Sequence, residues 1–318
     1  MRQKSLKPII GTFILLLLLG LAALYYLSPD WMARSALAFE RFRAGIAKRS
    51  LTTNNIRFAY LTGGDGPVMV LLHGFGGNKD NFTRLAGRLT DHYKIIIPDL
   101  PGFGESTRNP QWDYSMPAQA SRLHDFITAL EIESFHLAGN SMGGGIATAY
   151  AARHPEQVKS LCLMAPGHVS SAPPSELFQM MENGENPFLL ENEGDYSELM
   201  ELAFAEVPFI PRPIRVYMAK QMRADRGFLK QAMDNILKNP YAVENHILDY
   251  PGPVLVIWGN KDRILHPKGA DILAAKAPRI KKALIENCGH LPMVEKPKET
   301  ARHYQAFLKD LPRLPQNN

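Results

Sequence analysis

The sequence predicts an α/β protein: a mainly parallel sheet with helices on both faces and a helical insert. Three observations carry this prediction. Runs such as "PVMVLLH", "KIIIPDL", "VKSLCLMAP" and "PVLVIWGN" are continuously apolar, as strands covered on both faces are. Amphipathic stretches near residues 81–91, 116–131, 142–154, 267–276 and 295–309 alternate with these runs, the pattern of strands joined by helical crossovers. Between about 167 and 250 the alternation stops. That stretch has no apolar strand run, reads as helices ("ELFQMMENG", "YSELMELAFAEV", "IRVYMAKQM", "FLKQAMDNIL") and is broken by Pro208, Pro211 and Pro213, so a helical cap inserted into the sheet is expected there.

From the N-terminus, Pro8 to Leu27 is an uncharged run of twenty residues, which as a helix would be about 30 Å long, the thickness of a bilayer core. Residues 1–28 are therefore expected to form a single-pass membrane anchor, with Tyr25, Tyr26 and Trp31 at its edge as interfacial residues. A cleaved signal peptide is the rival, which would make the protein secreted: the basic start (Arg2, Lys4, Lys7) suits both, and "ALA" at Ala36–Ala38 resembles a cleavage site. The same basic start favours a main domain outside the cytoplasm. Residues 29–54 read as a basic amphipathic linker. In it Trp31, Ser35, Ala38, Phe39, Phe42 and Ile46 share a helical face that could lie on a membrane surface or pack on the protein.

The main domain is expected over 55–311. It opens with "NIRFAYL", which has the period of a half-buried strand, and includes the further strand runs "FHLAGN" and "KKALIENC"; residues 312–318 are a tail. The cap region holds six of the thirteen methionines (Met180, Met181, Met200, Met218, Met222, Met233), residues suited to an adaptable apolar pocket as well as to helix packing.

The net charge of +5 is confined to the N-terminus: residues 1–50 carry +6 and the remaining 268 carry −1. A basic nucleic-acid footprint over the folded domain is thereby excluded. Cys162 and Cys288 are the only cysteines, too few for a disulfide framework or a metal-ligand spacing.

Chemistry enters at "HLAGNSMGGGIA". Gly139-Asn140-Ser141-Met142-Gly143 fits G-x-S-x-G, ending one strand and opening one helix, the context that lifts a serine hydroxyl above a strand end. The amide of Met142 would then stand at a helix N-terminus, suited to an oxyanion. A serine needs a base and an orienting acid. Of ten histidines, His290 in "ENCGHLP" follows a late strand run directly and precedes a helix; Asp262 in "VLVIWGNKDRILHP" lies just past another strand. Both fall at the same sheet edge as Ser141. Asp271 and Glu286 are competing acids. The loop His73-Gly74-Phe75-Gly76-Gly77 should supply the second oxyanion donor, the Phe75 amide, with His73 holding the loop through hydrogen bonds and Asp99 stabilising a turn.

"LLHGFGGNKDNF", "DLPGFGES", "FHLAGNSMGGGIATAYAARHPEQVKSLCLMAP", "VIWGNKDRIL" and "ENCGHLPMVEKP" together resemble the α/β-hydrolase superfamily over roughly residues 55–311. Within it the chain is most similar to membrane-bound monoacylglycerol lipases and related bacterial lipases. The resemblance implies a serine ester hydrolase acting on a lipid or ester substrate, with nucleophile Ser141, acid Asp262, base His290, oxyanion donors Phe75 and Met142, and a helical cap over the pocket. Such chemistry requires no cofactor and no metal. "GNSMGG" also resembles the carbon–carbon bond hydrolases of ring-fission products, a rival that would need an arginine for the substrate carboxylate. A fold retained as a binding module, without chemistry, is the other alternative.

Overall fold

The computed structural model describes residues 7–311. The tail at 312–318, and Arg2 and Lys4 of the basic start, lie outside the described residues. Two helices come first, α1 (Lys7–Leu27) and α2 (Pro29–Arg43), separated by Ser28, with Pro29 placed where a first-turn residue needs no donor. Strands β1 (Ala47–Thr53), β2 (Ile56–Gly63), β3 (Val68–Leu72) and β4 (Lys94–Pro98) follow, with the short helix α3 (Thr83–Ala86) before β4. Next come α4 (Met116–Ala129), β5 (Phe135–Ser141), α5 (Met142–Arg153) and β6 (Val158–Pro166).

The cap is a run of helices between β6 and the next strand: α6 (Glu176–Glu182), α7 (Glu193–Ala203), α8 (Arg212–Ala224), α9 (Arg226–Lys238) and α10 (Val243–His246). The chain then closes with β7 (Val254–Gly259), α11 (Lys268–Ala274), β8 (Ile280–Ile285), α12 (Pro292–Glu295) and α13 (Pro297–Lys309).

The eight strands form one sheet in the order β1-β2-β4-β3-β5-β6-β7-β8, antiparallel at β1, β2 and β4 and parallel from β4 to β8. Its central strands are buried throughout, and two apolar cores flank the sheet. One joins Leu72, Phe126, Leu137, Ile146 and Trp258, the other Leu71, Phe82, Ile97, Cys162 and Tyr304. Parallel strands aim all their C-terminal ends at one edge, where ligand-binding loops collect.

The N-terminal region differs from expectation. The stretch read as a linker holds α2 and a strand, β1, which pairs with β2 from Ala47↔Thr62 to Thr53↔Ile56. This strand is an edge strand whose first four residues are all exposed, so it lacks the apolar alternation that marks a strand in sequence. α2 packs on α8 of the cap through its Ala33 side, and Trp31, Phe39 and Phe42 point away from the protein. The expected helix at 81–91 is also shorter. A 3-10 turn at Lys79–Phe82 leads into α3, which ends where Gly87 packs against Ala44.

The membrane span expected of residues 8–27 falls on α1. Among the described residues no helix is long and apolar enough to cross a membrane, so the single-pass anchor gains no support from the structure. Several side chains of α1 (residues 7–9, 18, 21 and 23) are outside the described set. Those that are described, Phe13, Leu16, Leu19 and Leu27 among them, are exposed.

Candidate active site

Ser141 ends β5 with φ 55° and ψ −120°, a left-handed conformation rare for a residue bearing a side chain. The flanking glycines make it possible. A Cβ on Gly139 would collide with the Gly143 carbonyl, and one on Gly143 with the carbonyls of Leu72 and His73. The chain can therefore fold back on β3 only without side chains there. Met142 begins α5, so its amide is one of the donors for which the helix provides no acceptor.

His290 and Asp262, 28 residues apart, meet beside this turn. His290 Nδ1 lies 2.8 Å from Asp262 Oδ2, with both residues buried. Three further donors fix the carboxylate. The amides of Ile264 and Leu265 each donate to Oδ1 at 2.9 Å, and the Trp258 indole N–H donates to Oδ2 at 3.0 Å while also reaching the Leu265 carbonyl at 3.2 Å. Since Oδ2 is an acceptor, His290 carries its proton on Nδ1 and presents Nε2 as the free basic nitrogen. Ser141 and His290 line one cavity of about 90 Å³ with Phe75, whose walls are otherwise mostly apolar.

The competing acids are elsewhere. Asp271 is exposed and paired with Lys282, and Glu286 is exposed and bonded to Asn260. His73 is fully buried. It accepts from the Leu100 amide at Nε2 (3.0 Å), so its proton is on Nδ1 and is donated to the Gly74 carbonyl (2.8 Å). Burial also pushes its pKa down, which keeps it neutral. Asp99 ties two loops together. Its carboxylate accepts from the Lys79 amide (2.7 Å), the Lys79 ammonium (2.8 Å) and the Glu105 amide (2.8 Å), so the loop carrying Phe75 is held against the "DLPGFGE" turn. Lys79 and Asp99 are almost fully buried, and loss of either partner would leave the other charge stranded.

Three residues of the site are not evident in the sequence. Trp258 reads as a core residue of β7. Asn140, the variable position before the serine, donates to the Met164 carbonyl (2.9 Å) and the His290 carbonyl (3.1 Å), tying the serine turn to the histidine loop. Glu295 accepts from the amides of Gly289 (2.7 Å) and Glu206 (2.9 Å), and the His290 amide donates to the Ala203 carbonyl (2.7 Å). The histidine loop thus hangs on the end of cap helix α7. Only the "WGNKD" spacing, which sets Trp258 four residues before the acid, hinted at any of these contacts.

Of the six cap methionines, Met200, Met218 and Met222 line the cavity, while Met180 and Met181 pack with Leu177 and Leu202. A second chamber of about 330 Å³ adjoins it, sharing Gly76, Gly77, Asn81, Tyr196, Met218 and Met222. This chamber runs between α2 (Arg34, Leu37, Arg41) and α8 (Ile214, Tyr217) and is more polar. The smaller cavity alone falls below the roughly 300–1,000 Å³ usual for ligand sites, and the two chambers together come within it.

Known proteins resemble this chain in sequence and in shape. Lipase 3 of Moraxella sp. (strain TA144) is 35% identical over 312 residues, covering 92% of this chain and 98% of that protein. The human monoacylglycerol lipase ABHD6 is 27% identical, covering 94% of this chain and 93% of its own. The crystal structure of a membrane phospholipase A, a bacterial virulence factor, matches with a TM-score of 0.87 and 39% identity over 95% of this chain and 98% of that one. A family model, described as the alpha/beta hydrolase fold, matches residues 67–205 and 214–297. The chain belongs to the α/β-hydrolase fold family.

Proposed function

We propose that the protein hydrolyses carboxylic esters of lipids, as a monoacylglycerol or triacylglycerol lipase or esterase, through Ser141, His290 and Asp262. The observation that carries this reading is the buried Asp262–His290 hydrogen bond at the edge of the cavity that holds the strained Ser141. Ser141 Oγ gives its proton to His290 Nε2 as it attacks the ester carbonyl. The amides of Phe75 and Met142 receive the developing oxyanion. His290 then protonates the departing alcohol, and an acyl-enzyme on Ser141 remains. Water, deprotonated by the same nitrogen, releases the fatty acid and restores the serine. Asp262 stays ionised and steadies the imidazolium.

The lipid substrate is supported by the apolar walls of the cavity and by the lipases among the relatives. Against the carbon–carbon hydrolase reading, neither arginine nor lysine lines the cavity that contains Ser141 among the described residues; Arg34 and Arg41 line only the adjoining chamber. Membrane attachment through α1 and the exposed aromatic face of α2 belongs to the same proposal. Its support is the uncharged run from Pro8 to Leu27 and the outward Trp31, Phe39 and Phe42.

Two measurements test the reading. Fluorophosphonate should label the wild-type protein and leave Ser141→Ala unlabelled. Each methylene added to the acyl chain should raise kcat/KM roughly fourfold until the chambers are full, from about 0.8 kcal/mol per buried CH₂. A flat profile together with turnover of a dienoic ring-fission acid would refute the lipase reading.

A further inference from the structure

Helix α8 has an unusual charge. Its thirteen residues include Arg212, Arg215, Lys220 and Arg223, all exposed, and no acid. Two of these cations touch the point where α1 gives way to α2: Arg212 lies over the Tyr26 ring, 5.5 Å from its centroid, and Lys220 Nζ is 2.6 Å from Asp30 Oδ2. Arg215 and Arg223 are each three residues on from one of them, neighbours on the helix surface. Lys220 excepted, none of the four has a carboxylate partner among the described residues, and the same is true of Arg34 and Arg43 on α2. Glu191, which shares a shallow groove with Lys220 and Arg223, is paired with Arg226. Asp195, Glu198 and Glu201 open onto a separate groove with Glu176, Arg226 and Arg263.

We propose that α8 is a docking element for anionic lipid headgroups, holding the cap against the bilayer beside the α1–α2 junction. The inference rests on the membrane-attachment reading and deepens it. An apolar face turned outward on α2 (Trp31, Phe39, Phe42) suits the headgroup boundary, and the unpaired guanidinium groups next to it suit its phosphates. Lipid is the occupant the arrangement favours, because the apolar helix α1 leads directly into the charged zone. The consequence for access is specific. Ile214, Tyr217 and Met218 of α8 face α2 across the larger chamber, so docking places that chamber at the bilayer, in line with Ser141.

The test uses the full chain in vesicles of phosphatidylcholine alone or mixed with phosphatidylglycerol. A fluorophore is attached at Ala224→Cys, the exposed end of α8; the native cysteines are buried and will not compete. Headgroup-linked quencher reports the docking of α8. Quenching should be stronger in the anionic vesicles and should fall in high salt. In R215Q/R223Q the docking constant should drop about fivefold for each cation removed, with turnover of a soluble short-chain ester unchanged. Flotation with both vesicle types but quenching indifferent to phosphatidylglycerol, or equal quenching in R215Q/R223Q, overturns this proposal and leaves membrane attachment standing. A chain that floats with neither vesicle overturns the attachment reading and the docking role with it.

Discussion

Replacing Asp262 with asparagine changes one atom and should remove nearly all activity while sparing the fold. The carboxylate accepts four hydrogen bonds, two on each oxygen. An amide cannot replace it, because one oxygen becomes an NH₂ donor. If that NH₂ faces Ile264 and Leu265, it opposes two backbone donors that have no way to adjust, at about 1–3 kcal/mol for each buried group left unpaired. Turned the other way, it faces Trp258 and His290. The indole retains the Leu265 carbonyl, and His290 relieves the clash by moving its proton to Nε2. This second orientation is the cheaper one. It leaves the imidazole pointing an N–H at Ser141, unable to accept the hydroxyl proton. A triad held in the wrong tautomer loses about 10⁴ in kcat. Hydrolysis of a p-nitrophenyl ester, with thermal unfolding as the control, measures both halves of the expectation. Asp271→Asn and Glu286→Gln, on surface ion pairs and hydrogen bonds, should stay near wild-type. Near-full activity in Asp262→Asn, or its loss in Asp271→Asn, would refute the reasoning.

Trp258→Phe keeps an aromatic ring in the space left by Gly269 but removes the hydrogen bond to Asp262. A hydrogen bond to a charged group contributes about 1.5–3 kcal/mol, so kcat should fall roughly 10- to 100-fold with KM unmoved; unfolding at lower temperature with kcat unchanged would show a packing role alone. Burial lowers the His136 pKa from 6.5 to about 4, so the unfolded chain binds a proton between these values that the folded chain does not. Stability should therefore fall as the pH drops from 6.5 to 4, by up to about 3 kcal/mol, and level off below. Denaturant titrations of His136→Gln should show that slope flattened. A chain starting at residue 29 should unfold like the full protein, whereas one starting at residue 51 loses α2 and half of β1 and should unfold at a markedly lower temperature by calorimetry.

The sheet and its helices were legible because buried parallel strands must be continuously apolar and the helices between them must be amphipathic. β1 was not, since an edge strand with exposed faces places no such demand on its side chains. The serine turn was readable from glycines that only a close backbone approach requires, and Asp262 and His290 were readable from their positions just past strand ends. Their meeting over 28 residues of chain is a property of the parallel sheet, which brings the ends of β7 and β8 to one edge. Asn140 and Glu295 could not be read because they reach Met164, His290 and Glu206, groups distant in sequence, and Trp258 because its letter reads as core even though its partner Asp262 is only four residues on: a residue's type states what it can donate or accept, but not which group the fold will place against it. The charge on α8 was present in the letters from the start. Only packing decided its meaning, by setting that helix against α2 and leaving its arginines near the α1–α2 junction without a carboxylate partner among the described residues.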